Sequence, residues 1–227
     1  YNIVDQIFIG QGVGYLGNAA TNIAFPITTI CLAIGLMMGI GSAANFNLEL
    51  GRKNIDRARE VAGTAAGTLV IIGILLWITI LIFLKPMMVS FGATEKILNY
   101  AMEYTGITSF GVPFLLFSIG ANPLVRADGS PKYSMMAIVV GAILNTVLDP
   151  VFMFVFNMGI AGAAWATVIS EIVSALLLAY YFTRFKNVKF QLKDFIPKLE
   201  FVKVIVSLGI ASFIFQFSTT IIQITTN

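Results

Sequence analysis

The chain has 227 residues, of which 58% are hydrophobic and 11% charged, and its mean hydropathy is +0.89. Soluble domains carry roughly 25% charged residues, so a water-soluble globule of this size would lack the charge to cover its surface, and disorder, which needs low hydrophobicity, is excluded too. The net charge of +3 comes from scattered loop residues with no basic face, which argues against nucleic-acid binding and leaves an integral membrane protein.

A spanning helix needs about 20 mostly apolar residues, and charges with Gly/Pro clusters divide the chain into such runs. Tyr1 to Ile9 reads as the end of a first helix, followed by a glycine-rich turn at Gly10, Gly12, Gly14 and Gly17. Asn18 to about Asn47 forms a second helix, where Pro26 predicts a kink because it lacks an amide donor. Ala62 to Leu84 is a third, uncharged throughout. Ile97 to Leu124 is a fourth, interrupted at Gly111 and Pro113. Tyr133 to about Phe156 and Ile160 to Phe182 are the fifth and sixth. A polar, lysine-rich segment from Thr183 to Glu200 follows, and a seventh helix begins near Phe201. The chain opens at Tyr1 without Met and stops at Asn227 within an uncharged run, the pattern expected of part of a longer protein.

Lysine and arginine are unevenly shared between the loops. Twelve lie on one side: Arg52, Lys53, Arg57 and Arg59, then Arg126 and Lys132, then the six from Arg184 to Lys203. Only Lys85 and Lys96 lie on the other. The richer side is expected to be cytoplasmic. Small residues four apart, Gly35/Gly39 and Gly63/Gly67, are expected to let helix backbones approach closely.

Chemistry-bearing residues are few. No histidine occurs, so Ser–His and Cys–His nucleophile pairs are excluded, and Cys31 lies alone in an apolar run. An acid within the hydrocarbon costs roughly 2.5–3.5 kcal/mol and is a functional candidate by default. Asp149 is the clearest, with sixteen uncharged residues before it and twenty-one after. Asn145 precedes it by one turn on the same face, and Pro150 follows, predicting a kinked backbone with freed carbonyls. If the fifth and sixth helices turn near Met158, Asp149 and Thr167 each lie nine residues from the turn, both about 13 Å deep. These groups offer only oxygen ligands, which suits a hard cation such as Na⁺, or a proton relay. Asp5, near the Gly10 turn, reads equally as a snorkelling interfacial residue or a partner at that depth. Glu171, one turn beyond Thr167, reads equally as structural or functional. Glu103 is expected at the interface. Asn122 reads as a helix-end hydrogen bonder or a cavity residue. No Lys or Arg falls in the middle of a span, which favours cations as cargo. Most methionines cluster near span ends or turns, and Met153 is the one placed among candidate cavity residues.

Several segments together carry a resemblance. They are Tyr1 to Gly10, Glu49-Leu-Gly-Arg52 with Arg57-Ala-Arg59, Asn122 to Lys132, Asn145-Thr-Val-Leu-Asp149-Pro150, and Gly159 to Ser170. With them the sequence resembles the MATE (multidrug and toxic compound extrusion) family, in its prokaryotic DinF-like branch. The resemblance implies an all-α integral membrane protein, the six-helix amino-terminal lobe (first helix truncated) of a twelve-helix, two-lobe transporter. Residues 1–185 would be that lobe, 186–200 a cytoplasmic linker, and 201–227 the start of the second lobe. It implies no enzyme activity and no cofactor beyond a coupling ion, H⁺ or Na⁺. The expected function is export of cationic amphipathic compounds by alternating access in the prokaryotic inner membrane. Its partners would be the bilayer and a carboxy-terminal lobe. The resemblance maps a cation site onto Asp5, Asn145, Asp149, Thr167 and the Ala163 carbonyl, with Asn122 in the same cavity network. Some members carry Gln at the position of Glu171. Two competing readings are a lipid-linked sugar flippase of the same superfamily, which calls for basic residues in the cavity, and an intramembrane aspartyl hydrolase built on Asp5 and Asp149. Gly39-Ile-Gly-Ser42 superficially resembles a serine-protease motif but has no histidine to serve it.

Overall fold

In lipid every backbone N–H and C=O must be satisfied within the segment, so long apolar runs become helices. The computed structural model describes residues 2–226, with side chains from 4 to 218, and among them all regular structure is helical. Tyr1 and Asn227, the outermost residues of two expected helices, lie outside the described residues. The elements are α1 (Asn2–Gly12), α2 (Tyr15–Gly51), α3 (Ile55–Ile82), α4 (Leu84–Ser90), α5 (Glu95–Thr108), α6 (Val112–Ala127), α7 (Pro131–Pro150), α8 (Ile160–Phe182) and α9 (Leu199–Thr226). Six segments are long and apolar enough to cross a membrane: α2, α3, α5 with α6, α7 with its continuation to Val155, α8, and α9 through Ser218.

Sequence cues and structure agree most closely where punctuation is strong. Gly14, at φ 83°, makes the turn between α1 and α2, a conformation that favours glycine. The fourth span is broken as expected: a 3₁₀ turn at Ser109–Gly111 joins α5 to α6, with Pro113 in the first turn of α6. The sixth span runs from Ile160 to Phe182. Three elements differ from expectation. Helix α2 runs from Tyr15 to Gly51 with Pro26 inside it, longer at both ends than the expected Asn18 to Asn47. Helix α3 starts seven residues before the expected Ala62, because its first two turns, carrying Asp56, Arg57, Arg59 and Glu60, project beyond the apolar thickness. The short α4 was not expected; it sits between two spans and buries Met88.

Helix α2 is the central post, packed on α3, α5, α6 and α9, while α8 lies against α5, α6 and α7. The expected close approaches are present with specific partners. A β-carbon at Gly39 would lie 2.7 Å from the Gly120 carbonyl oxygen of α6, and one at Gly35 would meet Ile119. Gly41 and Gly209 seat α9 on α2: added β-carbons would strike the carbonyl oxygens of Ile205 and Met37 respectively. Gly63 and Gly67, however, receive the backbone carbonyls of Asp194 and Phe195 in the polar linker rather than another helix.

That linker is fastened to the helices. Asp128, in the α6–α7 turn, is buried and accepts four hydrogen bonds: from the Tyr181 hydroxyl (2.9 Å), the Lys186 amide (2.7 Å), the Asn187 amide (3.0 Å) and the Asn187 side chain (2.9 Å). Asp194, also buried, pairs with Arg59 of α3 at 3.1 Å and closes its own turn by accepting from the Gln191 amide at 2.7 Å. Lys198 pairs with Glu60 at 2.6 Å. These contacts gather the three basic loops at one end of the molecule, away from Lys85 and Lys96.

Candidate functional site

Asp149 ends a run of α-helix, and Pro150 cannot donate the next hydrogen bond of the ladder. The backbone responds by widening into a π-helical turn at Val151–Val155 before the loop that leads to α8; such turns recur at functional sites. This geometry holds Asp149 fully buried, at 0% exposure, with Asn145 one turn earlier also at 0%. The Asn145 Nδ2 donates to Asp149 Oδ1 at 3.3 Å.

Asp5 of α1, 5% exposed, faces Asp149, and the two carboxyl groups interact directly. Like charges in contact repel, so the pair is stable with a shared proton or a cation between its oxygens. Asp5 Oδ1, Asn145 Oδ1 and Asp149 Oδ2 are all buried without a hydrogen-bond partner among the described residues. An unpaired buried acceptor is costly, so three of them on neighbouring side chains leave room for a donor or a cation that the described residues do not supply. On α8, Thr167 Oγ1 donates to the Ala163 carbonyl at 3.0 Å. Among the described residues no three Asp, Glu, Cys or His side chains group together.

A cavity of about 380 Å³ opens beside this pair, between α1, α2, α5, α6 and α8. Asp5, Thr167 and Glu171 face it, and no Lys or Arg does. Asp149 and Asn145 stand behind Asp5, outside its wall. Glu171, 9% exposed, lines the cavity deeper in, where its carboxyl fits against Gly111 so closely that a β-carbon there would collide with Oε2.

Two expected cavity residues lie elsewhere. Asn122 joins the opposite end of α6 to α7, its Nδ2 donating to the Ser134 carbonyl at 3.3 Å, so it is the helix-end hydrogen bonder of the two readings. Met153 is buried with Ile9 and Ala163, filling the space between α1, the π turn and α8. Ser42 is fully buried and donates to the Gly39 carbonyl at 3.0 Å, an ordinary intrahelical bond rather than a nucleophile's arrangement. Glu103 is exposed.

One site residue went unforeseen. Tyr104 of α5 meets Thr167 with its side chain and lies in the field of Asp5, Asp149 and Glu171. Its depth was the available signal: it lies nine residues into α5, as Asp149 and Thr167 lie nine residues from their turn, and a half-buried tyrosine hydroxyl seeks a partner.

The MatE family model matches residues 1–151, two acids of the site included. The chain belongs to the MatE family. It is 27% identical over 220 residues to the multidrug export protein MepA of Staphylococcus haemolyticus and 26% identical over 215 residues to MepA of Staphylococcus aureus, in each case over 94% of this chain and 48% of the relative. Among solved structures, an inward-facing MATE multidrug resistance transporter superposes with a TM-score of 0.90 at 31% identity, over 97% of this chain and 50% of that one. An outward-facing MATE transporter superposes at 0.84 and 33% identity, covering 97% and 49%. A Pyrococcus furiosus transporter of the MOP superfamily, described as having a binding pocket of reverse polarity that suggests a different function, matches at 0.85 and 33%, covering 97% and 49%. The chain thus spans about half the length of the relatives it matches. MatE membership makes it a multi-pass membrane protein of a transporter family rather than an enzyme.

Proposed function

We propose that this chain forms the ion-coupling half of a multidrug exporter, exchanging H⁺ or Na⁺ for cationic amphipathic compounds. The observation that carries this reading is the Asp5–Asp149 pair with its open oxygens, of which Asp5 lines an acid-bearing cavity with no Lys or Arg among its described lining residues. Asp5, Asn145 and Asp149 hold the ion, with Thr167, the Ala163 carbonyl and Tyr104 beside them. Filling the site with a proton or Na⁺ lowers the negative charge of the pair by one, weakens the attraction for a cationic substrate in the neighbouring cavity, and so promotes its release. A bound ion moves a conformational equilibrium only by its differential affinity for the two states. The pair joins α1, through Asp5, to the end of α7, through Asp149, and supplies such a difference because any movement of α1 changes the site.

Residues 1–185 act as one lobe, 186–200 as a linker on the cytoplasmic side and 201–227 as the start of a second lobe. Matching an inward-facing and an outward-facing transporter over 97% of the chain supports a lobe that rocks as a body. The charge distribution supports a cytoplasmic linker in a prokaryotic inner membrane. The absence of a base from the cavity wall argues against an anionic lipid-linked sugar as cargo.

The test is efflux of a fluorescent cation from cells producing the complete protein or its Asp149→Asn variant, with the Na⁺ and pH gradients collapsed in turn. Efflux is expected to depend on one gradient and to fall at least about tenfold in the variant. Gradient-driven efflux retained by Asp149→Asn would overturn the mechanism.

A further inference from the structure

The ion-coupling mechanism uses Asp5 and Asp149, and leaves one acid of the cavity without a role. Glu171 is nine-tenths buried, faces the cavity, and makes no hydrogen bond or ion pair among the described residues. It lies one helical turn beyond Thr167, about 6 Å further along α8. Asp149 has Asn145, and Asp5 has Asp149, whereas the Glu171 carboxyl lies against Gly111, with the Cys31 thiol, the Tyr104 hydroxyl and Asp5 within its electrostatic reach and no Lys or Arg among the described residues lining the cavity. Gly111 is required for this placement, since any side chain there would displace the carboxyl. A buried carboxyl with no partner keeps its proton while the cavity is empty and ionises only when the occupant brings the compensating charge.

We infer that Glu171 is a second cation-recognising group, separate from the Asp5–Asp149 pair, which gives the cavity a preference for substrates bearing two positive charges. This deepens the export reading above and rests on it. One cationic head meets Asp5 at the level of Thr167 and Tyr104, the other meets Glu171 at the deeper end, and the apolar wall between them accepts a short hydrocarbon spacer. A volume of about 380 Å³ lies in the range of drug-sized ligand sites. A monocation leaves one of the two acids unmatched.

The experiment compares a bis-trimethylammonium alkane with the alkyl-trimethylammonium of equal chain length, by calorimetric titration of the purified complete protein. The wild type is expected to bind the dication at least about tenfold more tightly, the scale of one charge-assisted contact. Glu171→Gln should abolish that preference while changing monocation affinity less than about twofold, and Glu171→Asp should retain part of it. Gly111→Ala keeps the charge but displaces it, and should reduce the preference even if Glu171→Gln fails to fold. Equal binding of the two probes by the wild type, or equal weakening of both in Glu171→Gln, overturns the inference. Binding of neither probe by the wild type overturns it too, and the efflux assay then decides separately whether cation export stands.

Discussion

Tyr104 shows how a single hydroxyl acquires meaning from its neighbours. In isolation it is one of many aromatics in apolar helices, yet here it meets Thr167 among three acids. Replacing it with Phe keeps the packing against Ile9, Met153 and Ala163 and removes only the hydroxyl. Tyr104→Phe is expected to weaken apparent affinity for the coupling ion about fivefold, the scale of one hydrogen bond, with thermal stability unchanged. The dependence of efflux on external Na⁺ or pH reads this out, and an unshifted curve would remove Tyr104 from the site. Asp149 was legible in the sequence because a charge inside an apolar run stands out, and Asn145 because helical spacing places it alongside. Tyr104 and Gly111 were not singled out as site residues, since a tyrosine or glycine in a span carries no charge to mark it. Asn122 and Met153, expected in the cavity network, do not line this cavity, and sequence spacing fixes depth along a helix but not which side of the bundle a face meets.

At the level of elements, backbone contacts set the spacing. Gly41 lies against the Ile205 carbonyl of α9, so Gly41→Leu should lower the melting temperature by about 5 °C. Gly51→Leu, with nothing within 4 Å, is the matched control and should shift it little. The break between α5 and α6 could be read directly from Gly111 and Pro113, and the ends of α8 from Gly159 and the charged residues after Phe182. The clamps on the linker could not, because Asp128 finds its partners 53 to 59 residues away and only the folded chain brings them together. Asp128→Ala strips acceptors from four donors and should cost about 2–4 kcal/mol. Thermal unfolding of the purified protein and faster tryptic cleavage after Lys186 and Lys189 would report it, with Asp128→Asn intermediate.

Across the whole molecule, the basic loops converge on one end, and the Asp5–Asp149 site lies toward the other. In a Cys31→Ser background, Glu95→Cys should react with a membrane-impermeant thiol reagent on intact cells, and Lys132→Cys only after permeabilisation; the reverse pattern would invert the orientation. The linker, expected from its composition to be a polar surface segment, turns out to be bound to the helices over most of its length. Between Phe195, seated on Gly67 of α3, and Leu199, where α9 begins, lie three residues, and one of these, Lys198, is itself held by Glu60 of α3. That leaves a leash of about 10 Å. Helix α9 is therefore geared to the bundle as if on an axle, and a change in its tilt is delivered as torque to the charged end of α3.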